Sequence, residues 1–175
     1  TIPNVFHTPY PAFTNQGTSQ PKFDGRIDYD IASGGTVSVS GGVAGTAGII
    51  NSGIGPFDID SASHMTYLSS RYQKGGRRVA FFTNLLKGTA ANLLARDTKG
   101  QPLPLDFNTK TYDFEANDVH AFGTKNVVSY GGNYRHNTFD ISLAPGGAAR
   151  NEEGAYGQDE IFIGSHFRWV VGGRV

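Results

Sequence analysis

The chain has 175 residues with 15 basic and 15 acidic side chains, so its formal charge is zero and it lacks the basic footprint of a nucleic-acid binder. Cysteine is absent, which excludes disulfides, thiolate metal sites and a cysteine nucleophile. Gly numbers 24 and Pro 8, short of the roughly 25–30% that marks low-complexity disorder, and no apolar run approaches the ~18–20 residues of a membrane-spanning helix.

The first predicted element is a strand. From Phe23 to Ile31 the chain reads FDGRIDYDI, with Phe23, Gly25, Ile27, Tyr29 and Ile31 on one face and Asp24, Arg26, Asp28 and Asp30 on the other. A helix would mix the two sets, so the period is two. Its length suits a tilted membrane strand of about 9–11 residues. After the turn composition Ala32–Gly34, Val37, Val39, Gly41, Val43 and Gly45 alternate with Thr36, Ser38, Ser40, Gly42 and Ala44, and the two segments read as a hairpin. A third strand is expected over Thr66–Tyr72. Beyond the turn 73–76, Val79, Phe81, Thr83 and Leu85 oppose Ala80, Phe82, Asn84 and Leu86 in a fourth.

The segment Thr89–Asp97 has good helix formers and reads either as a helical turn or as an extension of the fourth strand with Thr98, Lys99 and Gly100 at its tip. Pro102 and Pro104 disfavour a central strand directly after it. A fifth strand spans Thr111–Ala121, with Tyr112, Phe114 and Ala116 against Asp113, Glu115 and Asn117. In the sixth, Val128, Tyr130, Gly132 and Tyr134 oppose Ser129, Gly131, Asn133 and Arg135. A seventh covers Ala155–Ile163. In the eighth, Phe167, Trp169, Val171, Gly173 and Val175 oppose Arg168, Val170, Gly172 and Arg174.

The links alternate in length. Those near 32–35, 73–76, 123–125 and 164–166 are short, and those near 45–65, 88–110 and 136–154 are long. Compact domains rarely keep long structureless loops. Short turns on one side and long loops on the other are the layout of an outer-membrane barrel, with short periplasmic turns. Alternation alone suits a soluble sandwich or barrel as well, with the apolar face as its core. The loop rhythm and the density of charge in the first strand favour the membrane barrel. The expected fold is all-β: an antiparallel up-and-down meander of about eight strands, part of a transmembrane barrel. Residues 1–20 form an extracellular-loop segment and 21–175 carry the strands, in one partial domain without a plug.

The histidines are His7, His64, His120, His136 and His166. None is spaced as a helical metal pair, and His7, His136 and His166 are expected in loops or turns. Gly53, Gly55 and Pro56 make only part of a GxG pattern without strand-to-helix context, and there is no nucleophile elbow or P-loop. No enzyme, metal or cofactor is expected. Asp24, Asp28 and Asp30 read as a hydrated wall charge-paired by Arg26 rather than an acid–base site. With them, Asp113, Glu115, Asn133, Arg135, Arg168 and Arg174 are the candidate lumen-facing residues. Tyr29, Tyr130, Tyr134 and Trp169 are candidates for interfacial girdles. Phe6, Tyr10, Phe13 and Phe57 fall in expected extracellular segments, where they either stack on ligand or pack the loops together.

The most specific stretch is AYGQDEIFIGSHFRWVVGGRV, Ala155–Val175. Its aromatic Tyr156, the run Gln158, Asp159 and Glu160, the turn Gly164–His166 and an alternating strand ending in Gly172, Gly173 and Arg174 resemble a strand–turn–strand unit of TonB-dependent outer-membrane receptors. KNVVSYGGNYRHNTFD, Lys125–Asp140, resembles the strand before it. The resemblance implies a bacterial outer-membrane location and uptake of a scarce nutrient such as an iron–siderophore complex, cobalamin or a glycan. It implies as partners the lipid bilayer, the rest of a parent barrel of about 22 strands with its plug, and indirectly the TonB system. This chain has no segment resembling the plug, no TonB-contacting box and no terminal aromatic assembly signal, and it does not begin with Met. With short turns periplasmic, both termini would be extracellular, the arrangement expected of an internal slice of a larger barrel.

Overall fold

The computed structural model describes residues 17–143 and 146–175. Phe6, His7, Tyr10 and Phe13 lie outside the described residues. The fold is all-β and antiparallel. Its ten strands are β1 (Lys22–Ile31), β2 (Gly35–Gly45), β3 (Gly48–Ser52), β4 (Gly55–Ile59), β5 (His64–Lys74), β6 (Arg77–Arg96), β7 (Pro102–Phe122), β8 (Asn126–Ile141), β9 (Ala148–Ile163) and β10 (Phe167–Arg174). They form one open sheet in the order β1-β2-β5-β6-β7-β8-β9-β10, with the β3–β4 hairpin branching from β6.

The short turns are built alike. Gly34, Gly75, Gly123 and Gly164 each take a positive φ, between 57° and 78°. A left-handed residue lets adjacent strands reverse tightly, and only glycine adopts it without Cβ strain. These turns lock the registers Asp28↔Ser38, Tyr72↔Val79, His120↔Val128 and Trp169↔Ile161. Because side chains alternate strictly, a fixed register decides which face every residue occupies.

The expected eight-strand meander is corrected to ten strands, and the reason lies above the common level of the sheet. The segment expected as a long loop over 45–65 folds as the β3–β4 hairpin. β5 leaves β6 after His64↔Lys87, and β4 takes over the vacated edge through Phe57↔Asn92, Asp58↔Ala91 and Ile59↔Ala90. The open choice at Thr89–Asp97 resolves as a strand: β6 and β7 run 20 and 21 residues and close over a tight turn at Asp97–Gln101. Pro102 and Pro104 both lie within β7, but β8 joins β7 only from Phe107↔Ile141. At the two prolines β7 is therefore an edge, where a missing N–H is tolerated.

The buried hydrophobic side chains among the described residues are Ala47, Phe57, Ile59, Ala90 and Leu93, with Leu105 and Phe107 packed against the Phe57 cluster. All sit in this upper extension. Phe57 thus packs the extension together. Ser63 staples the hairpin's return to β6: its hydroxyl accepts from Thr89 N at 3.1 Å and donates to Thr89 O at 3.2 Å. Gly88 leaves the space this needs, since a Cβ there would fall on the Ser63 side chain and the Phe107 ring. Gly88→Val should therefore destabilise the extension by about 1–3 kcal/mol, the usual range for overpacking. Hydrogen exchange should report it as faster exchange at Asp58–Asp60 with β8–β10 unchanged; uniform protection would refute the role given to Gly88.

Candidate functional site

The period of two sorts the sheet into two chemically distinct faces. One bears Asp24, Arg26, Asp28 and Asp30 of β1, and the printed registers carry that face across the sheet to Tyr67 and Arg71 of β5, Asn84 and Arg78 of β6, and Thr111, Asp113, Glu115 and Asn117 of β7. It continues through Asn133, Arg135 and Asn137 of β8 to Glu152, Tyr156 and Glu160 of β9 and Arg168 and Arg174 of β10. All ten candidate polar residues thus share one face.

They fall into three groups. On β1 and its neighbours, Arg26 Nη2 meets Asp28 Oδ1 at 2.8 Å, Ser38 Oγ donates to the same carboxylate at 2.5 Å, and Tyr67 OH donates to Asp24. Near the turn between β9 and β10, Arg168 Nη1 pairs with Glu160 Oε2 at 3.3 Å. Between them, Asp113, Glu115, Asn133, Arg135 and Arg174 line one cleft of about 320 Å³ together with Tyr156. There Arg135 Nε binds Asp113 Oδ2 at 2.6 Å, and Asn117 Nδ2 donates to Glu115 Oε1 at 2.8 Å. Gly154 keeps the floor low: a Cβ there would stand 3.2 Å from Asn133 Oδ1 and 3.8 Å from Arg174 Nη2. The cleft therefore presents donors and acceptors of both signs to a hydroxyl- or carbonyl-bearing ligand.

The opposite face is apolar and outward. Phe114 is 47% exposed and its ladder partner Tyr134 44%. On the polar face the Asp113 side chain is 17% exposed, but those of Arg26 and Asp28 are 63% and 55% exposed, so neither face is covered as a whole.

The margin of the apolar band runs obliquely across the strands. On the upper side the last apolar outward residue of each strand is opposed by a polar one on the next: Leu85↔Lys110, Tyr112↔His136, Tyr134↔Glu153. The lower side steps in the same sense, at Asp118↔Tyr130 and Asn126↔Ile161. Aromatic rings cluster at these steps. Tyr130 donates to Asp118 at 3.3 Å, and Trp169, 66% exposed, sits against Ile161. Tyr29 is two residues from the turn end of β1, and Tyr134 is at the upper margin. The four girdle candidates are therefore all outward and near a margin.

His136, expected in a loop, is corrected to a strand position: it lies in β8, stacked on Tyr112 with ring centroids 6.5 Å apart, with Nδ1 2.5 Å from Asn151 Oδ1. Among the described residues no three His, Asp or Glu side chains are grouped to hold a metal ion. Tyr67, Arg71 and Arg78 belong to the polar face and were not singled out from sequence; Tyr156, read there only as part of the strand–turn–strand resemblance, also lies on it. The alternation Tyr67, Ser69, Arg71, Gln73 held the signal, but Leu68 as the one large aliphatic side chain between Tyr67 and Tyr72 blurs it. No family model, curated protein or solved structure matches the chain.

The three groups differ in energetic weight. Both partners of Arg26–Asp28 are more than half exposed, whereas Asp113 is sheltered. A double-mutant cycle on Asp113→Ala and Arg135→Ala, read by urea unfolding, should give a coupling of up to about 1 kcal/mol. The same cycle on Arg26 and Asp28 should give none measurable, and equal couplings would contradict the burial difference.

Proposed function

We propose that the chain is part of the transmembrane β-barrel of a TonB-dependent receptor in a bacterial outer membrane, acting in nutrient capture and gated transport rather than catalysis. The observation that carries this reading is an uncovered apolar face: a wide antiparallel sheet leaves Phe23, Ile27, Tyr29, Phe114, Tyr134 and Trp169 exposed on one side while its charges gather on the other. A water-soluble sheet buries such a face, and contiguous exposed apolar surface of this extent marks a membrane or partner contact. Lipid is the natural cover for the band, and a polar interior is what such barrels enclose. The oblique margins support the same reading, since strands tilted in a barrel cross a flat bilayer at successively shifted residues. The inner cleft of Asp113, Glu115, Asn133, Arg135, Tyr156 and Arg174 would then contribute to the wall met by ligand and plug. The receptor family, and with it a siderophore, cobalamin or glycan cargo, rests on the resemblance of Lys125–Asp140 and Ala155–Val175.

A soluble binding module would need a second layer over the apolar face. Among the described residues, the only buried apolar cluster lies in the upper extension.

Fractionated membranes probed with an antibody to Ala155–Val175 test the proposal. An outer-membrane band several times heavier than 18.7 kDa is expected. A soluble band near that mass would overturn the transport reading, and an outer-membrane band near it would replace the receptor slice with a stand-alone barrel. Substitutions on one strand give an independent check. Phe114→Arg, in the middle of the outward band of β7, should cost about 2–4 kcal/mol of folding into bilayers, while Thr111→Arg on the inner face should be close to neutral. Equal costs would remove the lipid-facing assignment.

A further inference from the structure

A second cleft, of about 610 Å³, opens on the outward face just above the apolar band. It exists because β5 ends at His64 and the chain turns away through Asp60–Ser63 before β4 rejoins β6. Four side chains from four adjacent strands line it in one register row: His64↔Lys87, Lys87↔Asn108, Asn108↔Asp140. Asp60, Asp106 and Ser142 add to its polar lining.

Much of this polar equipment is unused. Asp60 Oδ1 accepts from Ala62 N at 2.7 Å, and the Ser142 hydroxyl accepts from the Asp106 backbone N–H at 3.0 Å. The carboxylates of Asp106 and Asp140 and the ammonium of Lys87 have no hydrogen-bond or ion-pair partner among the described residues. Three carboxylates beside one lysine disfavour a phosphate. Carboxylate, amide and imidazole acceptors beside a lysine donor suit vicinal hydroxyl groups. On β6 the row stands one same-face position above Leu85, the last apolar residue of the band.

We propose that this cleft holds the sugar headgroup of an uncharged glycolipid whose acyl chains lie along the outward band, an inference that rests on the membrane reading above. Asp106, Asp140 and Asn108 bind hydroxyls, Lys87 donates to sugar oxygens, and His64, whose Nδ1 donates to Ala62 O at 2.8 Å, offers Nε2 as a further acceptor. The occupant is a lipid rather than a free sugar because the next same-face row below the cleft, Thr66↔Leu85, is already the upper edge of the band.

The test is native mass spectrometry of the full protein released from nanodiscs of phosphatidylcholine doped with digalactosyldiacylglycerol or, separately, phosphatidylglycerol. Retained galactolipid is expected. Asp106→Ala/Asp140→Ala should lower retention about tenfold or more, the loss that follows removal of charged hydrogen-bond partners, and Lys87→Ala should lower it less, with insertion unchanged in both. Insertion without galactolipid preference, or preference for phosphatidylglycerol, overturns the inference alone. Equal binding of soluble digalactosylglycerol overturns the lipid source. Failure to enter nanodiscs overturns the membrane reading and the inference together.

Discussion

The register of the antiparallel ladder is the constraint on which everything else depends. With side chains alternating at a period of two, a slip of one residue would carry every charge of a strand to the apolar side. The glycine turns hold that register at one end. At the other the links differ, from the tight turn at Asp97–Gln101 to the β3–β4 insertion, and the strands run on to unequal lengths. The sorting of Asp24, Arg26, Asp113, Arg135 and Glu160 onto one face, and of Ile27, Phe114, Tyr134 and Trp169 onto the other, is a single decision repeated down the sheet.

Above the band the physics changes. β6 and β7 outgrow β5, and a two-stranded ribbon alone is marginal in water. The β3–β4 hairpin supplies a third partner and the apolar contacts of Phe57 and Ile59 against Ala90 and Leu105. Among the described residues the small apolar core sits in this extension. Gly88 and Ser63 mark the join, and the outward cleft is the geometric remainder of exchanging β5 for β4 on the same edge.

Legibility in the sequence follows the same division. FDGRIDYDI, the β2 valines and the Tyr112–Asn117 alternation were readable because polarity there changes sign at every residue. All ten candidate polar residues landed on a common face. The stretch 45–65 was not readable as strands: GIINS and GPFDI are short, and the partner that joins their hairpin to the sheet lies far away in sequence on β6. Pro102 and Pro104 misled for a related reason, since a proline speaks only about its own edge, and which edge is free is a tertiary fact. His136 has a polar neighbourhood that reads as loop, yet it is a strand residue placed where the oblique margin has already left the apolar band.

The two outer strands carry the remaining argument. Among the described residues β1 pairs only with β2, and β10 only with β9. Their inner-face charges are served unequally. On β1, Arg26, Asp28 and Ser38 satisfy one another within the hairpin, and Asp24 reaches Tyr67 two strands away. Local side-chain pairing does nothing for the backbone, however. In hydrocarbon an unpaired row of N–H and C=O groups costs several kcal/mol per group, and only a closed ladder removes it. The proposed membrane setting therefore demands strand partners for both edges. The path from β1 to β10 has eight strands, so the two edges run antiparallel and are compatible either with each other or with strands on each side. The polar cleft beside β10 favours the second arrangement, because Arg174 and Tyr156 face inward at a border where a further strand would complete their surroundings.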